Sequence, residues 1–269
     1  MIAPRRAYTL LVAYLMLHLR TDLVALIGGS LALPIATLAL IQYSGFIAPD
    51  SGVQLLGAGI FIVPALFTAL LVLPGIVAAQ RHGGQLAMLG TLPIGRFSAV
   101  SALLTVLATP VLLSTAVTAL FAATALHRSL LLSLPVVLIA IPLTIVTLSS
   151  IGLVLGMAHL SRNAVTWLGG AIVLALLFIL ANDVAPTTPA LARAALHLVP
   201  TVAASSLISS LSHKLNLLAT VADILVLVLY SAGSFALAYR LIPWRNDSRE
   251  SVQTTPQRIV QMPPTVSIE

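Results

Sequence analysis

The sequence contains no cysteine, and only 7% of its 269 residues are charged and 5% are aromatic. The missing cysteines exclude disulfides, thiolate catalysis and cysteine-ligated metals. A soluble domain needs about 25% charged residues to cover its surface. This chain instead is 59% hydrophobic, with a mean hydropathy of +1.09. We therefore predict an integral membrane protein whose first partner is the lipid bilayer.

The chain also lacks the sequence patterns of common enzymes. Its six histidines include no pair at the four-residue spacing of a helical zinc site. The nucleophile elbow G-x-S-x-G and the phosphate-binding P-loop are both absent. We predict no catalytic residue, no metal site and no cofactor in this chain. The net charge of +6 comes from scattered basic residues rather than a patch, so no nucleic-acid partner is predicted.

Long apolar runs predict an all-α polytopic fold, because a crossing helix needs about 20 apolar residues. The shorter run at residues 7–20 is predicted to be an interfacial helix within a cytoplasmic N-terminal segment, 1–22. Residues 23–242 form a predicted six-span domain. Its spans are Leu23–Tyr43, Leu55–Ala79, Ser98–Leu126, Leu130–Ala158, Ala164–Ala181 and Leu217–Leu241.

Two further segments complete the predicted organisation. Residues 182–216 are interrupted by three prolines and are predicted to re-enter the outer leaflet, with short helices at Leu191–Leu198 and Val202–Leu211. Residues 243–269 form a polar tail with four prolines that we predict to be disordered.

The basic residues predict the orientation of the six spans. Ten lie on the side of the termini and three on the other, which by the positive-inside rule makes both termini cytoplasmic. The ten are Arg5, Arg6, Arg20, Arg81, Arg96, Arg162, Arg240, Arg245, Arg249 and Arg258; the three are Arg128, Arg193 and Lys214.

The loop at 80–97, between the second and third predicted spans, is the most polar interruption in the first half of the chain. Gly83 and Gly84 predict the end of one helix, since glycine adopts the left-handed conformation at a helix stop. Residues 85–92 predict a second, short helix that ends before Pro93. Its apolar stripe, including Leu86 and Leu89, cannot be stable alone, and we predict that it occupies a groove on another protein.

This loop resembles the cytoplasmic loop of type-2 ABC exporter permeases, which follows approximately E-R-E-x-G-T-L-x-x-L-x-x-x-P-x-x-R. The acidic positions at its start are replaced here by uncharged residues. In that family the segment is the coupling helix, which docks on a separate ATPase subunit. The resembling positions, and so the implied ATPase-coupling residues, are Arg81, Gly83, Gly84, Leu86, Leu89, Thr91, Leu92, Pro93 and Arg96.

The resemblance implies a function as well as a fold. The chain would be the permease subunit of an ATP-driven exporter in a prokaryotic plasma membrane, pairing with a second permease as a homodimer or heterodimer. ATP and Mg²⁺ would be bound by the partner ATPase. Phe61, Phe67 and Phe178 lie in spans that line the central cavity of that family. An apolar cavity predicts a hydrophobic or amphipathic substrate, such as a drug-like molecule, lipid or peptide.

Two other classes remain open: an ATP-independent channel or scaffold, and a membrane-embedded enzyme. Asp223 is the one acidic residue within a predicted span, about two turns from its outer end. We expect it to reach the interface or pair with Lys214, in preference to a functional role.

Overall fold

The computed structural model describes residues 4–19, 24, 62–90, 92, 94–125, 136–183, 195–212 and 216–242. Within these ranges the secondary structure is helical and contains no strand. The described helices are α1 (Pro4–His18), α2 (Ile62–His82), α3 (Gln85–Leu89), α4 (Arg96–Ala125), α5 (Ile141–Met157), α6 (Arg162–Asp183), α7 (Pro200–Ser212) and α8 (Leu217–Leu241). The π-helical segment Val136–Ala140 leads directly into α5, and the apolar span of this helix runs from Leu138 to Met157.

Five of the described helices, α2, α4, α5, α6 and α8, are long and apolar enough to cross a membrane. They correspond to the second through sixth predicted spans, although the predicted starts of the second and fourth spans, Leu55 and Leu130, lie outside the described residues. The predicted first span, Leu23–Tyr43, lies outside the described residues except for Val24. The predicted tail, 243–269, and much of the predicted re-entrant segment, 182–216, also lie outside the described residues. The second short helix predicted within that segment, Val202–Leu211, is found as α7.

The central helix is α5, which packs against α2, α4, α7 and α8. It carries no charged residue, so it can be buried on several sides without leaving a charge unpaired. Its buried face includes hydroxyl groups. The Thr147 hydroxyl lies 2.8 Å from the Ser231 hydroxyl of α8, 3.2 Å from the Leu227 carbonyl oxygen of α8 and 2.8 Å from the Leu143 carbonyl oxygen of its own helix. Such bonds join helices where the surroundings offer little other polar contact.

The two ends of the helix bundle differ in chemistry. At one end, which we call the Arg81 end, α2, α5 and α8 terminate and α4 and α6 begin. An apolar cluster there holds α1 against α4 through Leu11, Leu15 and Leu19. At the opposite end, the His197 end, α7 packs against α5 and α8.

Helix α2 is irregular, since its middle segment, Phe67–Val72, is π-helical. Pro74 lies just after this segment and has no backbone N–H. The carbonyl of Leu70, four residues earlier, therefore cannot form the usual α-helical hydrogen bond with residue 74. The Thr68 hydroxyl donates to the Pro64 carbonyl at 2.7 Å. The π segment is thus a local change of helical register between two prolines, of the kind often found at functional positions.

Glycines from two other helices contact the backbone of this segment. A Cβ atom added at Gly152 of α5 would lie 1.8 Å from the Ala69 carbonyl oxygen, and one at Gly169 of α6 would lie 2.1 Å from the Leu70 carbonyl oxygen. One turn further along α5, a Cβ at Gly156 would lie 2.5 Å from Val77 Cβ. Small residues let helix backbones approach in this way within a membrane. Helix α2 is therefore held between α5 and α6 at backbone distance.

Adjacent glycines of α6 provide a test of this packing. We predict that Gly169→Ala lowers the free energy of unfolding by about 1–3 kcal/mol, because the new methyl group overlaps a backbone carbonyl that cannot rotate away. Gly170→Ala, whose Cβ would meet only Leu71 Cδ1 at 3.6 Å, is the matched control and should be neutral or stabilising. The measurement is thermal unfolding of both variants in one detergent. Equal midpoints for the two variants would contradict the packing.

Candidate functional site

The candidate site is the connection between α2 and α4, where the sequence predicts a helix break. Helix α2 ends at His82, and Gly84 has a φ angle of 74°, in the left-handed region. The Gly84 N–H donates to the Arg81 carbonyl at 3.1 Å and the Gly83 N–H to the Ala79 carbonyl at 2.9 Å. Glycine adopts this conformation without the steric cost that a Cβ would bring. The turn then directs the chain into α3.

Helix α3 is shorter than predicted, and its apolar stripe has a different environment. It spans Gln85–Leu89 rather than residues 85–92. Leu86 and Leu89 are each 3% exposed and belong to the same apolar cluster as Leu11 and Leu103. For Leu86 and Leu89, the prediction of a groove on another protein is therefore wrong, because this chain covers both side chains itself: α3 packs against α2, and the apolar cluster also includes residues of α1, α4, α5 and α8.

The outer face of α3 is the part available to a partner. Met88 is 54% exposed, and Ala87, His82 and Gly84 are also exposed. Leu92 is half-buried and packs against the apolar cluster of the Arg81 end. Thr91 and Pro93, two of the predicted coupling residues, lie outside the described residues. Sequence reasoning missed Met88, because a helix of this length gives no sign of which face its own chain will cover.

Arg81 is bonded within the chain. Its guanidinium donates to the carbonyl of Met157, the last residue of α5, at 3.1 Å, and to the carbonyl of Leu160 in the turn that follows. The last carbonyls of a helix lack intrahelical partners, and a cation there also interacts favourably with the helix dipole. Arg81 thus fixes the end of α2 to the end of α5.

Arg96 makes the equivalent connection to α8. Its guanidinium donates to the carbonyls of Arg240 and Ile242, each at 2.8 Å, and its Cζ lies 4.9 Å from the centre of the Tyr239 ring. The first residue of α4 is thereby bound to the end of α8. Both loop arginines therefore hold helix ends together, a role that their basic charge alone did not predict.

The Arg81 end is basic. Arg162 and Arg240 are exposed there, and Arg81 and Arg96 are half-buried. The described residues of this end include no aspartate or glutamate. A partner that approaches α3 would therefore meet a positive surface with Met88 at its apolar part, which suits an acidic partner surface.

Two of the three predicted cavity phenylalanines, Phe67 and Phe178, lie in the described part of the chain. Phe67 begins the π segment of α2 and is half-buried against the apolar cluster of the His197 end. Phe178 is 71% exposed on α6. Phe61 lies outside the described residues. The described residues also include no group of three or more side chains suited to a metal ion.

Asp223 does not lie where the sequence suggested. It is 3% exposed, and its Oδ1 lies 3.6 Å from Nδ1 of His197, in the segment before α7. The expectation that its carboxylate reaches the interface is therefore wrong, since α7 covers this part of α8. Lys214, the partner expected from the sequence, lies outside the described residues. His197 is 26 positions away in the sequence, and only the packing of α7 on α8 brings the two together.

Comparison with protein-family models finds no match for this chain. Comparison with curated proteins finds no significant match either.

A pair of arginines tests the structural role of the α2–α5 connection. We predict that Arg81→Gln raises amide hydrogen exchange at residues 153–160 by about tenfold or more, since hydrogen bonds from a charged donor contribute roughly 1.5–3 kcal/mol. Arg162→Gln removes the same charge from an exposed position at the same end and is the control. If the exchange rates at residues 153–160 rise equally in both variants, the loss of positive charge explains the effect, and the Arg81 hydrogen bonds do not stabilise the end of α5.

Proposed function

We propose that this chain is the permease subunit of an ATP-driven ABC exporter, with α3 as the element that docks on a separate ATPase. The observation that carries the proposal is the attachment of α3. It is a short helix after a left-handed glycine turn, with Leu86 and Leu89 buried in the chain and Met88 exposed. Such a helix can receive a displacement on its outer face and transmit it through its inner face.

The packing supports transmission from α3 to the apolar helices. Leu86 and Leu89 share one apolar cluster with residues of α1, α2, α4, α5 and α8, and α3 packs directly against α2, so a displacement of α3 would disturb these helices. Close-packed interiors transmit displacement because they compress very little. The hydrogen bonds of Arg81 and Arg96 extend the same connection to the ends of α5 and α8.

The glycine contacts support movement of α2, α5 and α6 as one body. Gly152 and Gly169 hold the π segment of α2 from two sides, and a helix clamped at backbone distance does not slide independently. In the proposed mechanism, ATP binding draws two ATPases together and pushes α3. The attached helices of two permease subunits then tilt and change which side of the membrane their shared cavity faces.

In this proposal the Arg81 end faces the cytoplasm, which agrees with its arginines and the positive-inside rule. The membrane would be a prokaryotic plasma membrane, with both termini inside. The substrate would be hydrophobic or amphipathic, because the described spans have apolar surfaces. Phe67 and Phe178 are candidates for the cavity wall that two subunits would share, and ATP with Mg²⁺ would be bound by the ATPase chains.

The test is co-purification of an ATPase from native membranes, followed by an assay of ATP hydrolysis. We predict that Met88→Asp lowers the ATPase recovered with the permease by about tenfold or more, because an unpaired carboxylate would be buried in the interface. Leu198→Asp, at an exposed apolar residue of the His197 end, is the matched control and should retain the partner.

Leu86→Asp is unsuitable for this purpose, because it places a charge in the chain's own core. If the Met88→Asp protein recovers as much ATPase as the wild-type protein does, docking through α3 is contradicted. A wild-type chain that purifies with no ATPase, from cells that also express the neighbouring genes, would favour an ATP-independent channel or scaffold.

A further inference from the structure

Aromatic and basic side chains meet at the surface where α4 begins and α8 ends. Phe97 is 65% exposed, and its ring centre lies 5.2 Å from that of Phe235 on α8. Tyr239, one turn after Phe235, is exposed, and the guanidinium of Arg96 lies over its ring. Arg240 follows and is exposed as well. We call the surface formed by these five residues the α4–α8 junction.

The α4–α8 junction lies at the ends of two apolar spans. Arg96 is the first residue of one span, and Leu241, just after Arg240, is the last residue of another. Such positions lie at headgroup level in a bilayer, where tyrosine and tryptophan rings and basic side chains are enriched. Because this depth is fixed by the span ends, it does not depend on which leaflet the Arg81 end occupies.

The positive charge of the junction has no acidic neighbour in the described part of the chain. Arg96 donates to two neutral groups, the carbonyls of Arg240 and Ile242. The acidic side chains that the structure describes, Asp183 and Asp223, lie toward the His197 end, on α6 and α8. A guanidinium binds a phosphate through parallel N–H bonds. The exposed Arg240 side chain is therefore available to a phosphate, and Arg96 adds to the positive potential beside it.

An exposed apolar strip continues from the junction along α8. From Tyr239 toward the middle of the helix, Ala236, Ala232, Val228 and Leu225 follow at spacings of three or four residues, so they share one side of the helix. All four are exposed. The two alanines leave the strip shallow between the larger side chains of Tyr239 and Val228. An acyl chain that descends from headgroup level can lie along this strip.

We propose that the α4–α8 junction is a binding site for an anionic phospholipid. The Arg240 guanidinium donates to the lipid phosphate, and the rings of Phe97 and Tyr239 contact the glycerol region. One acyl chain lies along the strip that begins at Ala236. A zwitterionic lipid carries a cation in its own headgroup, which the two arginines repel, so the site selects a headgroup of net negative charge.

The test is a titration of the purified chain in detergent, followed by native mass spectrometry. The probes are phosphatidylglycerol and phosphatidylcholine with the same acyl chains, and the selectivity is the ratio of their apparent Kd values for the first bound lipid. We expect wild type to prefer phosphatidylglycerol by about fivefold or more. Arg240→Gln should lose about fivefold of this preference, the factor that one basic residue near a membrane surface contributes.

Arg162→Gln is the matched control for charge. It removes an exposed arginine from the same end, but on α6, which packs against α2. This variant should keep the wild-type selectivity. Arg240→Gln leaves the hydrogen bond from Arg96 in place, because that bond is to a backbone carbonyl. Arg240→Lys keeps the charge and should retain selectivity for the anionic lipid, which also separates lost charge from lost folding.

The apolar strip is tested separately by Ala232→Phe, which fills its shallow part. The affinity for both lipids should fall by about tenfold, the factor for roughly two methylene groups that lose their contact. The selectivity should not change, because both arginines remain. Ala222→Phe places the same ring at an exposed alanine nearer the start of α8 and should leave both affinities unchanged.

Equal affinity of wild type for the two lipids overturns the proposal, as does a selectivity that survives Arg240→Gln. An equal loss in Arg162→Gln also overturns it, since the lipid would then be attracted by the charge of the whole end. Displacement of phosphatidylglycerol by inorganic phosphate at equal concentration would show that the acyl chain adds nothing, and so would wild-type affinity in Ala232→Phe. The assay contains no ATPase, so its result is independent of the proposed function.

Discussion

The backbone contact of α2 with α5 and α6 is the constraint on which the rest of the structure depends. Between lipid-exposed helices the hydrophobic effect gives little driving force, so association relies on close packing. Gly152 and Gly169 provide it, because a side chain at either position would overlap a carbonyl of the π segment. Helix α5 is in turn the centre to which α4, α7 and α8 are attached. The glycine contacts therefore hold α2 against α5 and α6, and α4 and α8 pack onto α5 in turn.

Arginines at the Arg81 end serve two physical purposes at once. Their charge favours the cytoplasmic side of a membrane, which the distribution of basic residues already indicates. Arg81 and Arg96 also donate to the terminal carbonyls of α5 and α8, which would otherwise lack partners. The loop between α2 and α4 is thereby attached at both of its ends to helices that are distant in sequence. This attachment makes a short helix such as α3 a fixed part of the bundle.

Much of the fold was predictable because the signals are local. A run of about 20 apolar residues predicts a span, and Gly83 and Gly84 predict the helix break that the structure has. The exposed face of α3 was not predictable. Leu86, Leu89 and Met88 are all apolar, and only the packing of α3 against α2 and the rest of the apolar cluster determines which of them are covered. The contact of His197 with Asp223 has the same origin, since it depends on how α7 packs.

The sequence by itself determined that the described chain is helical, that five of its helices are long and apolar enough to cross a membrane, and where its central turn lies. These follow from hydropathy and from backbone preferences that act over a few residues. Tertiary structure alone decided that the loop arginines bind helix ends, that Leu86 and Leu89 belong to the core, and that Asp223 is buried beside a histidine. The physical reason is that such contacts join residues far apart in the chain, and their geometry exists only after the helices have packed.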